Sequence, residues 1–142
     1  MPMVLSLRKA GLAMYRLCYR LTGGAIGGSS GGMPILLLTT TGRRTGKPRT
    51  TPLYYVTDGE NIVVVASNAG RPRHPFWWLN LQKNPQADVQ VRNDKRRVKA
   101  EEASGEERER LWRLVVETHP GYEEFQKTAK RQIPVVVLRP RE

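Results

Sequence analysis

Apolar and β-branched residues fall into six short runs along the chain. Ile35–Thr41 is apolar or β-branched throughout, and Thr51–Thr57 repeats that character around Tyr54, Tyr55 and Val56. Asp58-Gly59 separates this run from Asn61–Ser67, and an Asp-Gly pair between two strand-like runs predicts a tight hairpin. Ala87–Arg92 alternates Val89 and Val91 with Asp88, Gln90 and Arg92, the pattern of a half-buried strand. Arg96–Ala103 carries Val98 and Ala100 on one side. Ile133–Leu138 is the last run, with Pro134 near its start, where a missing N–H suits a strand end or a sheet edge.

Between these runs the period lengthens to that of a helix. Ser6–Leu21 places Leu7, Ala10, Met14, Leu17, Cys18 and Leu21 in one helical stripe, with Arg8, Lys9, Arg16 and Arg20 on other faces. Such a helix is expected to cover the open end of a sheet, with its basic face available to lipid headgroups. Gly23–Gly32 holds six glycines and two serines and reads as a flexible linker. Pro75 opens a short helix over Phe76–Lys83. Neighbouring residues on a helix diverge by about a third of a turn. Of Trp77 and Trp78, one is therefore expected in the core and the other against a pocket. Ser104-Gly105-Glu106-Glu107 has the spacing of a capping box ahead of Leu111, Trp112, Leu114 and Val115. Pro120 interrupts the chain before a further helix over Tyr122–Arg131.

Hairpins dominate over βαβ crossovers in this order. The predicted fold is α+β, with about six mostly antiparallel strands closed into a small barrel to hide its edges and helices at the periphery. Residues 1–32 form the helix and linker, and residues 33–142 form the barrel domain.

Composition agrees with one packed domain: 142 residues, 39% hydrophobic and 26% charged. The formal charge of +11 adds a field that attracts anions, whether nucleic acid, an anionic membrane surface or a small polyanion. The single Cys18 excludes an intrachain disulfide, and its apolar setting predicts a buried thiol. No apolar run is long enough for a signal peptide or a membrane span. The expected location is the cytoplasm, with peripheral contact at the inner membrane surface left open.

The densest chemistry lies between the first two strands, in Gly42-Arg43-Arg44-Thr45-Gly46-Lys47-Pro48-Arg49. Glycine-turn amides and fixed guanidinium groups together suit an oxyanion such as phosphate. The turn is not a nucleoside-triphosphate loop. Three residues separate its glycines where four are needed, and Pro48 replaces the magnesium-binding hydroxyl. Small residues at Ala66-Ser67-Asn68-Ala69-Gly70 permit a flat ring to approach the backbone. His74 and His119 lack partners at metal-ligand spacing, so no metal site is expected. No Ser-His-Asp or Cys-His arrangement is legible, which disfavours hydrolysis.

The ordered combination of Leu36–Tyr55, Val64–Gly70, Pro75–Leu81, Asn84-Pro85, Pro120-Gly121-Tyr122 and Arg131–Val137 resembles the deazaflavin-dependent nitroreductase family. That resemblance implies a split β-barrel binding coenzyme F420. It implies that the anionic tail of F420 meets Arg43, Arg44, Thr45 and Arg49, beside Thr50 and Thr51. It places the ring against Pro52, Leu53 and Tyr54 and against Val65, Ala66, Ser67 and Asn68. Phe76, Trp77, Trp78, Leu79 and Asn80 close around the cofactor. Tyr54, Ser67 and Tyr122 fall nearest the substrate face and stand as the candidate catalytic side chains. Asn68 occupies a position that is often lysine in the family, and His119 and Phe125 occupy positions that are tyrosine in nitroimidazole-activating members. The implied reaction is hydride transfer from reduced F420 to a quinone, a nitroaromatic or another conjugated acceptor. The alternatives are an FMN-binding barrel, an F420 carrier without turnover and a nucleic-acid binding module, the last not expected. A homodimer is plausible by resemblance.

Overall fold

The computed structural model describes residues 2–25, 27–30 and 33–141, with side chains of the first helix described from residue 11 onward. Leu7 and Ala10 of the predicted stripe, and Arg8 and Lys9 of the basic faces, lie outside the described side chains.

The described elements run α1 (Pro2–Thr22), β1 (Ser29–Ser30), β2 (Met33–Thr41), β3 (Pro48–Tyr54), β4 (Val56–Asp58), β5 (Asn61–Val65), a 3-10 turn (Asn68–Gly70), α2 (Phe76–Lys83), β6 (Gln86–Val91), β7 (Asp94–Glu102), α3 (Gly105–Thr118), α4 (Gly121–Ala129) and β8 (Val135–Pro140). Every described strand pairing is antiparallel. The order across the sheet is β1-β2-β6-β7-β8-β5-β4, and β3 pairs with the free side of β2. β3 and β4 therefore lie at opposite ends of the ladder, yet only Tyr55 separates them in sequence. The chain itself carries the sheet from one end to the other and closes it as a split β-barrel. The α+β barrel expected from the pattern is thus observed. Its strand count rises to eight because the run through Thr57 breaks at Tyr55 and a two-residue strand forms at Ser29.

The continuous apolar runs are explained by burial on both faces. Leu36 and Leu38 of β2, Ile62 and Val64 of β5, and Val136 and Leu138 of β8 fill the barrel interior. Their neighbours in sequence face outward into two other clusters. Val63, Val135 and Val137 pack beneath α3 and α4 with Leu111, Val115 and Tyr122. Ile35 and Leu37 pack beneath α1 with Tyr19, Tyr15 and Tyr54. β8 is a central strand, between β7 and β5, so Pro134 sits just before a strand rather than on an edge.

Three expectations change. The first helix turns its aromatic face inward: Tyr19 is fully buried, donates to Ile35 O at 2.8 Å and accepts from Arg92 N at 2.9 Å. Met14, Leu17 and Leu21 of the predicted apolar stripe are instead exposed, and Cys18 is half-buried. A tyrosine offers apolar area with a polar tip able to satisfy backbone groups at the sheet, so it anchors the helix better than the leucines do. The predicted capping box is also not formed. Ser104 is the N-cap of α3 but makes no side-chain cap bond. Glu107 reaches Arg139 at 3.2 Å, a charge-assisted partner that outcompetes a neutral amide. Finally, the two indoles do not divide cleanly: both Trp77 and Trp78 are buried in the barrel interior, Trp77 also lines a pocket as expected of one of them, and Phe76 is the exposed aromatic of α2.

Candidate active site

β2 and β3 are joined by the basic turn, and their register fixes where it stands: Thr41 pairs with Pro48, and Thr39 with Thr50. The glycine amides close the turn on itself. Gly42 N donates to Lys47 O and Gly46 N to Gly42 O, each at 2.8 Å. Gly46 has φ of 72°, in the region that favours glycine. The turn therefore offers an anion its guanidinium groups, not its glycine N–H groups as the sequence suggested.

Asn80 of α2 fastens this turn to the barrel. Its side chain is buried, accepts from Arg43 N at 3.1 Å and donates to Thr40 Oγ1 at 3.1 Å. Lys83 Nζ donates to Arg43 O at 2.7 Å, and the Arg43 guanidinium lies 5.4 Å from the Phe76 ring centre. Asn80 is thus a structural hub as well as part of the wall.

Between the turn, β3, α2 and α1 lies a cavity of about 370 Å³. Arg43, Arg44, Thr45, Arg49, Thr50, Thr51, Phe76, Trp77 and Asn80 line it together with Leu12, Arg16, Thr40 and Gly42. Leu12 and Arg16 were not among the site residues expected from sequence. Arg16 Nη1 donates to Thr50 O at 2.7 Å and Arg20 Nη2 to Thr50 Oγ1 at 2.8 Å, so α1 is tied to the strand that floors the cavity. The signal available in the sequence was the basic face of that helix. Among the described residues, no carboxylate forms an ion pair with Arg16, Arg43, Arg44 or Arg49.

The candidate catalytic side chains stand further along β3. Tyr54 lies three residues beyond Thr51, about 10 Å at the rise of a strand. Its ring is 6.0 Å from His119, which is 5.0 Å from Tyr122, which is 5.8 Å from Phe125. Tyr54 and Tyr122 share a narrow crevice with Met33, Tyr55, Val56, Val63, Val65 and Val115. Burial, with a smaller repulsion from Tyr54, pushes the Tyr122 phenol up to about 12. It stays protonated at neutral pH and so keeps a proton available for hydrogen bonding.

Ser67 is buried at the end of β5, where the chain turns sharply. Asn68, Ala69 and Gly70 have φ of 49°, 55° and 78°, and Asn68 Nδ2 donates to Arg73 O at 3.0 Å. Ala66 is wholly buried, Leu53 packs on the barrel interior, and Val65 pairs with Val135. Pro52 pairs with Leu37 and Leu79 is half-buried on α2. Pro52, Leu53, Tyr54, Val65, Ala66, Ser67, Asn68, Trp78, Leu79 and Tyr122 are not in the wall of the arginine-lined cavity.

A sequence model of the family described as F420H(2)-dependent quinone reductase matches residues 13–140. The chain belongs to that family. An F420H(2)-dependent quinone reductase of Mycobacterium tuberculosis is 41% identical over 138 residues, 92% of this chain and 93% of the relative. A solved structure described as an F420-H2 dependent reductase is 42% identical, with a TM-score of 0.70 over 75% of this chain and 94% of that one. Another, described as a domain-swapped dimer, is 33% identical, with a TM-score of 0.70 over 98% of this chain and all of its own. Family membership supports oxidoreductase activity and a capacity to bind F420H2. The matched region takes in α1 from Ala13 onward, so Arg16 is inside it.

Proposed function

We propose that this chain binds reduced F420 and uses it to reduce a quinone or another conjugated acceptor. The observation that carries the reading is the arginine-lined cavity without an acid partner, on the same strand, β3, that carries Tyr54 further along. The fit to the cofactor is one of charge and shape. Arg16, Arg43, Arg44 and Arg49 would hold the acidic tail, as planar donors suited to phosphate and carboxylate oxygens. The side chains at Ala66 and Ser67 beyond the end of β5 are small, and the resemblance lays the ring against them.

When bound, reduced F420 supplies a hydride from C5, and one further proton completes reduction of a quinone to a hydroquinone. The protein's part is distance, orientation and hydrogen bonding to the acceptor, and water supplies the proton. Tyr122 keeps its proton and donates to the acceptor oxygen, raising its electron affinity as the hydride arrives. Tyr54 stands beside it across His119 and shapes the same face. Ser67 offers a second hydroxyl at the strand end.

The test mixes the protein with reduced F420 and, separately, quinones, nitroaromatics and unsaturated lactones, following cofactor absorbance. Reoxidation with one acceptor class identifies the substrate. Binding without reoxidation by any of them would reduce the protein to a cofactor carrier. Tight binding of FMN, or of DNA, with no affinity for F420 would reject the reading. The domain-swapped relative supports a homodimer, which light scattering tests. The exposed Met14, Leu17 and Leu21 beside Arg20 support peripheral contact with an anionic membrane, which vesicle sedimentation tests.

A further inference from the structure

One guanidinium outside the arginine-lined cavity gathers more backbone than any other described side chain. Arg131 lies between α4 and β8. Its Nη2 donates to Ala66 O at 3.2 Å, Ser67 O at 3.1 Å and Arg73 O at 3.1 Å. Its Nε donates to Arg71 O at 3.2 Å, and its Nη1 lies 3.1 Å from His74 Nδ1. Arginine has no acceptor, so His74 Nδ1 must accept and the imidazole proton sits on Nε2.

These acceptors belong to two separate stretches. Ala66 and Ser67 directly follow β5 and form the proposed wall for the cofactor ring. Arg71, Arg73 and His74 belong to the segment that leads into α2, which carries Phe76 and Trp77 to the cavity. Between the two stretches, Asn68 and Ala69 hold left-handed backbone conformations that non-glycine residues rarely adopt. Gly70 closes the turn against α4, where a Cβ would lie 3.2 Å from Phe125 Cα. A turn of this kind persists only when its surroundings over-determine it. Arg131 supplies that constraint from a distant part of the chain.

We propose that Arg131, with His74 as its side-chain acceptor, is the positioning residue that fixes the ring wall of the site by locking the strand end at Ala66-Ser67 to the entry of α2. Arg131 touches neither cavity nor reacting atoms and acts through the backbone it holds. This rests on the reading that the F420 ring lies against Ala66–Asn68. It differs from the role of Arg43, Arg44 and Arg49, because a wall for the ring matters equally whatever the length of the acidic tail.

The test compares the wild-type protein with Arg131→Lys, Arg131→Gln, His74→Leu and His74→Asn. Each is titrated with F420 bearing a long glutamate tail and with F420 lacking glutamates, and amide exchange is mapped on the cofactor-free proteins. Arg131→Lys keeps the charge but not the planar fork. We expect it to weaken both cofactor forms by the same factor, about tenfold, as a displaced wall costs a positioned ligand. Exchange should quicken over residues 66–75 while β2 and β8 keep their protection. His74→Asn, which can present an oxygen near the place of Nδ1, should recover part of the affinity that His74→Leu loses. Wild-type affinity and wild-type exchange in Arg131→Lys and Arg131→Gln would overturn the proposal and leave the cofactor reading standing. Faster exchange through the whole barrel would overturn it in favour of a general stabilising role. Failure of the wild-type protein to bind either form of F420 would remove the cofactor reading, and this role with it.

Discussion

Two groups of arginines in this barrel, apart from those such as Arg131 that are held by backbone oxygens outside the cavity, differ in what answers their charge. On the α3 side, Arg110 forks onto Asp58, with both N···O distances 3.0 Å, and Arg139 reaches Glu101 at 3.0 Å and Glu107 at 3.2 Å. Those guanidinium groups are neutralised by the chain itself. Around the cavity, Arg16 and Arg43 meet only backbone carbonyls, amide oxygens and an aromatic ring, and Arg44 and Arg49 are exposed in its wall. A cation already held by its own carboxylate can take a ligand only by giving that partner up. A cluster of cations left without acids repels itself until an anion arrives. The difference marks which part of a +11 chain is there to recruit a ligand.

Removing the unanswered charges should have the largest effect. Replacing Arg43, Arg44 and Arg49 together by Ala should weaken binding of long-tailed F420 by roughly tenfold for each arginine lost, since charge-assisted contacts carry about 1.5–3 kcal/mol and these are partly exposed. Fluorescence titration at low and moderate salt measures it. An affinity independent of both the substitutions and the salt would show that the tail binds elsewhere.

Next comes the residue that holds the turn in place. Asn80→Ala leaves the Arg43 amide and the Thr40 hydroxyl without their partner in a buried setting, at a cost of about 1–3 kcal/mol. A thermal melt should show the loss, and cofactor affinity should fall with it. An unchanged melting temperature would mean that water replaces the side chain without penalty.

The Tyr122 phenol sharpens the contrast by its pH dependence. Its folded value of about 12 lies above the ordinary 10.0. The stability that comes from keeping it neutral is therefore complete below pH 10 and is lost as pH rises toward 12. Tyr122→Phe should flatten the alkaline decline in melting temperature over that interval. Turnover should fall while F420 affinity holds, and its pH profile should show no titration of this group at neutral pH.

The smallest effect is expected on the paired side. The Arg110 fork holds the Asp58 carboxyl below its ordinary value of 3.8. That contribution is complete above the ordinary value and is lost as pH falls toward the folded one. The pair is exposed and screened, so Asp58→Asn with Arg110→Gln should shift the melting temperature only slightly and leave F420 affinity unchanged. A loss of affinity comparable to that of the cavity arginines would erase the distinction between the two groups.

Much of this was legible along the chain because the responsible forces are local. Alternation in Ala87–Arg92, the Asp58-Gly59 hairpin and the helix-opening Pro75 each concern neighbours within a few residues, and β6, the β4–β5 hairpin and α2 form there. The basic turn was visible for the same reason. Less legible was the engagement of its glycine amides within the turn, since that depends on how the loop closes. The face of α1 was misjudged because leucine spacing reports a stripe but not what lies opposite. The sheet offered Ile35 O and Arg92 N, which the Tyr19 hydroxyl satisfies and a leucine does not.

By itself the sequence determined six strand-forming runs, the turns between them, the sign of the field and the place of greatest positive charge, since these follow from side-chain period, backbone permissiveness and composition. Only the tertiary structure decided which guanidinium groups remain without an acid, that Arg16 joins the cavity from α1, and that Arg131 reaches back across more than fifty residues to the turn beside Ser67. The reason is physical: ion pairing and backbone satisfaction are settled between segments brought together by barrel closure, and one-dimensional order does not state those distances.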